Sequence, residues 1–240
     1  MVQLKSLAEI EKMRKAGAIV GQILEEIEEL VKPGISTWDL DVFAQTRTKE
    51  LGAKPAFKGY HGFPGTLCIS VNEEVVHGIP SKKRILNDGD IVGLDFGVIL
   101  DGWFGDSADA AKLLEVTEKS LHLGIGEARA GQHLFDIGHA IQNYVESFGF
   151  SVVREFVGHG IGKNLHEDPQ VPNFGVRGKG LLLKPGMVLA IESMINVGKP
   201  GAKVLADGWA AVTVDKKLSA HFEHTIAITE TGTEILTKVF

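Results

Sequence analysis

Gly34-Ile-Ser-Thr-Trp-Asp-Leu-Asp-Val-Phe-Ala44 returns 97 residues later as Gly131-Gln-His-Leu-Phe-Asp-Ile-Gly-His-Ala-Ile141. Gly34, Trp38, Asp39, Leu40 and Gly52 meet Gly131, Phe135, Asp136, Ile137 and Gly149. Each copy follows an apolar helical pattern and leads into strand-like sequence. Two copies are too few for a solenoid. They predict one domain of two related α+β halves with a site where they meet. The alternative is a chance likeness between two amphipathic helices.

Outward from the first copy, Leu7, Ile10, Met13, Val20, Ile23, Leu24, Ile27, Leu30 and Val31 recur at helical spacing. Ser6 and Glu9 supply a capping box before that helix, and Pro33-Gly34 ends it. A second helix is expected over Thr37–Leu51, closed by Gly52. Strands are expected at Thr66–Val71, Glu74–Ile79 and Ile91–Leu100, the last turning at Asp101-Gly102 as a hairpin. Helix returns over about Lys112–Glu127 and Leu134–Glu146. Further strands are expected at Ser151–Val157, Met187–Ile195, Ala210–Val214 and Phe222–Thr229.

The chain has 240 residues, 44% of them hydrophobic and 23% charged, which fits a single globular α/β domain and excludes disorder, collagen and coiled coil. A net charge of −6 argues against binding nucleic acid through a basic surface. Cys68 is the only cysteine, so no intrachain disulfide forms. No apolar run approaches the roughly 20 residues that span a bilayer, and the charged opening Met1–Met13 lacks a signal-peptide core. A cytoplasmic protein is the expectation.

The chemistry-bearing residues are misplaced carboxylates. Asp95 interrupts the apolar run Ile91–Leu100, and a lone carboxylate there is costly unless paired or bound to metal. A two-residue turn at Asp101-Gly102 sets Asp95 opposite Ala108 and puts Asp106 two positions along on the same face. Like charges at that diagonal repel, and a divalent cation between them removes the repulsion. Glu192 in Met187–Ile195 and Glu223 in His221–Ile228 repeat the anomaly. A turn cap, a solvated strand end or a salt-bridged core glutamate explains any one alone, but four candidates in three strand regions outweigh that reading.

His159 sits in Gly158-His-Gly-Ile-Gly162, and His166 follows seven residues on. The glycines form half a dinucleotide fingerprint, but the required helix is missing, and Glu167-Asp-Pro169 follows instead. Glycines around a histidine suit close passage of backbone past a ligand. Four carboxylates and one imidazole disfavour structural zinc and suit Mn²⁺, Fe²⁺ or Co²⁺, with zinc compatible. Five such ligands suit a two-metal hydrolase centre. Cys68 reads as packing rather than as a nucleophile, and there is no G-x-S-x-G elbow. His122, His133 and His139 read as surface or packing, and Trp209 as pocket wall or core.

Taken in order, ten motifs resemble the type I, bacterial-like methionine aminopeptidases over nearly the whole chain. They are Gly59–Pro64, Cys68–Glu73, Val76–Pro80, Asp88–Val92, Gly105–Ser107, Gly158–Gly162, His166–Pro169, Lys184–Met187, Asp207–Trp209 and Glu223–Thr225. The resemblance implies the α+β pita-bread fold, two pseudo-symmetric halves (roughly 1–105 and 106–240 of a single catalytic domain) with a central antiparallel sheet around a dinuclear metal site. It implies Asp95, Asp106, His159, Glu192 and Glu223 as ligands of two divalent ions (Co, Mn, Fe or Zn). It makes His77 and His166 catalytic side chains that contact the peptide and steady the intermediate, and the chemistry of such a centre places Glu192 to relay the proton from water to the leaving amine. It puts Tyr60, Phe63, Cys68, Leu165 and Trp209 at the methionine pocket. The implied activity is removal of the N-terminal methionine before a small second residue, on nascent chains near the ribosome, by a cytoplasmic monomer that binds neither nucleic acid nor membrane.

The chain departs from that family after Asp106, where Asp106–Leu114 runs almost directly into a helix and about ten strand residues are missing. A strand cut short there would leave Asp106 without the neighbour that holds it. Smaller departures are Ser193 for proline, His221 for glutamine and Leu165 for phenylalanine. The rivals are a proline-directed peptidase, whose extra N-terminal domain does not fit in 240 residues, and a non-catalytic peptide- or protein-binding member of the same fold. The latter is favoured only by the shortened strand.

Overall fold

The computed structural model describes residues 2–109 and 113–238, with 108–109 described by backbone alone. In chain order the elements are α1 (Leu7–Glu28), α2 (Thr37–Glu50), β1 (Lys54–Pro55), a 3₁₀ turn (Tyr60–Gly62), β2 (Leu67–Val71), β3 (Glu74–Val76), β4 (Val92–Leu100) and β5 (Trp103–Asp109). Then come α3 (Leu113–Glu127), α4 (Leu134–Glu146), β6 (Ser151–Val152), β7 (Gly158–Gly160), β8 (Glu167–Val171) and β9 (Val188–Asn196). The chain closes with β10 (Ala202–Val204), β11 (Ala211–Thr213), β12 (Ser219–Ile228) and β13 (Thr233–Ile235).

Local chemistry sets the ends of these elements. The Ser6 hydroxyl accepts from the Glu9 amide while the Glu9 carboxylate accepts from the Ser6 amide at 2.8 Å, which completes the capping box of α1. Ser36 and Asp39 do the same for α2. At the β4–β5 turn, Asp101 and Gly102 have φ of 50° and 81°, the paired left-handed geometry of a type I′ hairpin.

The ten-stranded antiparallel sheet runs β1-β4-β5-β12-β9-β7-β8, with β2 on β4, β6 on β9 and β13 on β12. Strands alternate their side chains between two faces. One face carries Leu94, Phe96 and Val98 against α1 and α2, and Ile191, Ile195, Phe222 and Ile226 against α3 and α4. The opposite face therefore receives Asp95, Asp106, Glu192 and Glu223.

The repeat is visible in the hydrogen bonds. The Gly34 amide donates to the Leu86 carbonyl and Thr37 to Arg84; 97 residues on, Gly131 donates to Leu183 and Leu134 to Leu181. The lone bridges Ser36–Ile85 and His133–Leu182 obey the same offset. Gly34 and Gly131 share positive φ, at 94° and 88°, as do Gly52 and Gly149, at 75° and 76°. Chance likeness does not reproduce a bonding pattern.

Several expectations need correction. Leu30 and Val31 fall beyond α1, which stops at Glu28. The strand expected over Glu74–Ile79 ends at Val76, because His77 takes a left-handed φ of 60°. The strand expected over Ser151–Val157 is only β6, and the chain re-enters the sheet as β7. The helix start expected at Lys112 lies outside the described residues. Strands β1, β8, β10 and β13 are short, polar or proline-bearing, and β8 lies at the sheet edge, where a proline and charges are tolerated.

Candidate metal centre and peptide pocket

The sheet register assembles the site. Cys68 pairs with Asp95, Asp95 with Ala108, Ala108 with Glu223, and Glu223 with Glu192, so one row crosses five strands. Asp106 pairs with Gly97, two positions along from Asp95, as the hairpin arithmetic requires. His159 on β7 pairs with Ala190, two positions from Glu192. Four chain segments distant in sequence, the β4–β5 hairpin, β7, β9 and β12, thereby bring four carboxylates and an imidazole together.

Asp106, His159 and Glu223 are buried, and one donor atom from each lies within 4.8 Å of the others. Among the described residues, Asp106 Oδ1 and Glu223 Oε1 are buried with no hydrogen-bond partner. His159 Nε2 lies 3.2 Å from Glu192 Oε1, and His221 Nε2 lies 3.9 Å from Glu192 Oε2. Neither imidazole neutralises the cluster, because burial holds His159 down to about 4 and His221 down to about 3. Burial pushes Asp95 up to about 7. Burial, then Asp95 and Glu192, raise Asp106; burial, then Asp95, raise Glu192; burial, then Asp106, Glu192 and Asp95, raise Glu223. Crowded buried carboxylates with vacant lone pairs are unfavourable alone and favourable around a cation. The donor set, oxygen-rich with one neutral imidazole, fits a divalent metal.

Asp106 keeps its neighbours, contrary to the expectation drawn from the short segment after it. Strand β5 pairs with β4 as far as Leu94–Asp109 and with β12 at Ser107–His224 and Ala108–Glu223. The Thr225 hydroxyl donates to the Asp106 carbonyl at 2.9 Å, and the Ser107 hydroxyl to the Glu223 carbonyl at 2.6 Å. The hairpin is therefore complete through Asp109, and the shortening falls after the ligand-bearing strand.

Beside the carboxylates opens a cavity of about 260 Å³. Every residue singled out from the sequence lines it: Tyr60, Phe63, Cys68, His77, Leu165, His166 and Trp209, together with the five acidic and imidazole groups above. Phe57 and His61 also line it and were not singled out, although His61 lies inside the quoted Gly59–Pro64 stretch. Phe63 and Trp209 meet edge to face at 5.1 Å, and Trp209 meets His77 at 6.3 Å. Burial pushes the Cys68 thiol well up, with Asp95 adding to it, so Cys68 is no nucleophile. Burial lowers His77 and His166, which are neutral at pH 7.

The sequence profile of metallopeptidase family M24 matches residues 11–230. Methionine aminopeptidase 1 of Bacillus subtilis is 56% identical over 249 aligned residues covering all of both chains. That alignment is longer than this chain, so the relative carries positions missing here. The methionine aminopeptidase of Escherichia coli is 45% identical, covering 98% of this chain and 94% of its own. The crystal structure of methionine aminopeptidase from Thermotoga maritima superposes with a TM-score of 0.97 at 47% identity, over 99% of this chain and 100% of that one. A prolidase from Pyrococcus furiosus, at 22% identity and a TM-score of 0.78, shares the fold; this chain covers 66% of it. The chain belongs to metallopeptidase family M24, within its methionine aminopeptidases.

Proposed function

We propose that this chain removes the N-terminal methionine from peptides with a small second residue. The observation that carries the reading is the cluster of four carboxylates, Asp106 and Glu223 buried and Asp95 and Glu192 half-buried, opening into an apolar cavity walled by Phe63, Leu165 and Trp209. Asp95, Asp106, His159, Glu192 and Glu223 would hold two divalent ions, drawn from Co, Mn, Fe or Zn. When bound, such ions lower the pKa of water and polarise the scissile carbonyl.

The remaining work falls to the side chains. The Glu192 carboxylate takes the proton of the attacking water and passes it to the leaving amine nitrogen. His77 and His166, both neutral, offer ring N–H groups where negative charge develops. Tyr60, Phe63, Cys68, Leu165 and Trp209 enclose the methionine side chain, whose thioether suits an apolar aromatic wall. His77 and His166 also contact the peptide.

The whole chain acts as a single catalytic domain, its halves roughly 1–105 and 106–240, each contributing ligands. We place it in the cytoplasm as a monomer acting on nascent chains near the ribosome. Its net charge of −6 speaks against nucleic-acid binding. Among the described residues no helix is long and apolar enough to cross a membrane. The non-catalytic alternative depended on a weakened Asp106, and Asp106 is held on both sides.

Methionine release from Met-Ala-Ser by metal-stripped protein, with and without added Co²⁺ or Mn²⁺ and with Leu-Ala-Ser alongside, tests this reading. Metal-dependent release of methionine with little leucine is expected. No release with any metal from folded protein would overturn it.

A further inference from the structure

Tyr60 Oη and His166 Nδ1 lie 2.8 Å apart across the mouth of the cavity. A phenol is a better donor than an imidazole N–H, and an imidazole nitrogen is a better acceptor than a phenol oxygen. The pair is therefore O–H···N, with Tyr60 donating. Burial raises the Tyr60 hydroxyl above its ordinary value, so it keeps its proton at neutral pH. A neutral imidazole carries one ring proton, and the hydrogen bond at one nitrogen decides where it sits. With Nδ1 accepting, the proton is on Nε2.

Both partners are set on fixed backbone. Tyr60 opens a 3₁₀ turn closed by Gly59 donating to the Phe63 carbonyl at 2.8 Å and Tyr60 to Phe57 at 2.9 Å, with Gly59 at a φ of 85°. The segment before His166 is tied by Glu167, whose Oε1 accepts from the Lys163 and Asn164 amides at 2.9 and 3.1 Å. Glu167 Oε2 in turn receives Lys5 Nζ at 2.5 Å in a buried ion pair. Glu167 thus holds the backbone around His166, which leaves the ring rotation and the tautomer to be set from outside.

We infer that Tyr60 is a positioning residue, whose hydroxyl locks the His166 ring in one rotation and in the Nε2–H tautomer, so that Nε2–H is the donor presented to the peptide. The inference rests on the proposed function and gives Tyr60 a role beyond lining the methionine pocket. A Phe at position 60 would keep the pocket wall and lose the lock.

The test uses Tyr60→Phe, His166→Ala and the double variant. Nitrogen-15 NMR of the histidine rings, on the metal-free and zinc-loaded protein, should show His166 protonated at Nε2 in the parent and mixed in Tyr60→Phe; the signal is assigned by its loss in His166→Ala. With Met-Ala-Ser, Tyr60→Phe should lower kcat roughly five- to tenfold, about the worth of one oriented hydrogen bond, and leave KM within about twofold. The double variant should be no slower than His166→Ala, since the two act as a unit. A parent His166 protonated at Nδ1, a rise in KM with kcat unchanged, or additive losses would each overturn the inference. Absence of methionine release from the parent would instead count against the proposed function, and the ring spectra would still decide the tautomer.

Discussion

Asp95 and Glu192 occupy matching positions of the internal repeat, 97 residues apart, and lie on one row of the sheet, joined through Ala108 and Glu223. Asp95 helps raise the Glu192 carboxyl above its ordinary range. The repeat thus gives each half one half-buried acid at the equivalent place and brings the two acids to one cluster. Two of the four carboxylates of the site are related by the repeat, whereas Asp106 and Glu223 have no acidic counterpart at that offset.

Glu192 has two duties in this account, ligand and proton relay. Glu192→Gln keeps the size and the neighbours His159 and His221 but cannot accept a proton. Loss of a positioned general base lowers rate by roughly 10²–10⁴-fold. Turnover of Met-Ala-Ser should drop by that order, while the circular dichroism spectrum stays that of the parent. Turnover close to the parent's would remove Glu192 from the mechanism.

The cluster makes metal-free stability depend on pH in a defined sense. Asp95 at about 7, and Asp106, Glu192 and Glu223 well raised, bind protons more tightly folded than unfolded. The stability they contribute is lost as pH rises through the folded values. His159, His221 and His224, at about 4, 3 and 4, have the opposite slope, but that slope ends near their unfolded value of 6.5. From pH 7 to 9 the raised carboxylates and, toward the upper end, the raised Cys68 thiol act in the same direction, so the metal-free melting temperature should fall. A bound divalent ion replaces those protons, so the gap between metal-loaded and metal-free melting temperatures should widen over the same range. A gap that narrows would contradict the charge accounting.

Gly105 is the contact point between α1 and the strand that carries Asp106. A methyl group at Gly105 would lie 2.7 Å from the Gly17 nitrogen and 2.8 Å from the Ala16 carbonyl carbon, both backbone. Gly105→Ala therefore pushes β5 off the helix. Overpacking of this kind costs about 1–3 kcal/mol. Thermal melts should show that loss, and metal titration should show weaker binding, because Asp106 is the next residue.

Trp209 stands edge-on to Phe63 and His77 at the cavity wall. Trp209→Ala opens that wall to solvent and to other side chains. A change of one wall contact in an apolar pocket alters discrimination by roughly 10–200-fold. Competing Met-Ala-Ser and Leu-Ala-Ser should show the methionine preference falling by about tenfold, mostly through KM. Unchanged preference would place methionine recognition elsewhere.

The parts of the fold legible in the sequence were those written in charge and period. Asp95 sits between Leu94 and Phe96, so its anomaly is visible without a structure, and the Asp101-Gly102 turn was enough to derive its register with Asp106. The Ser6–Glu9 box marks a helix start through two hydrogen bonds that depend on four consecutive residues alone. Strand β7 was hidden because Gly158-His-Gly160 has no apolar alternation; its place comes from Ala190 and Gln170 on the neighbouring strands. Phe57 was missed because its burial arises where the chain after β1 folds over Gly97, a tertiary contact without a local signal. The support of Asp106 is not legible locally because it comes from β12, at Thr225, 119 positions away.

The central claim is that this carboxylate cluster is a metal-dependent peptidase centre. The most direct measurement titrates metal-stripped protein with Co²⁺, following cobalt absorption and methionine release from Met-Ala-Ser in the same samples. The account predicts no release without metal and release that rises in step with binding to the cluster, with both lost in Asp106→Asn. Cobalt bound by neither the folded parent chain nor its variant, or methionine release undiminished in the presence of a chelator, would contradict it.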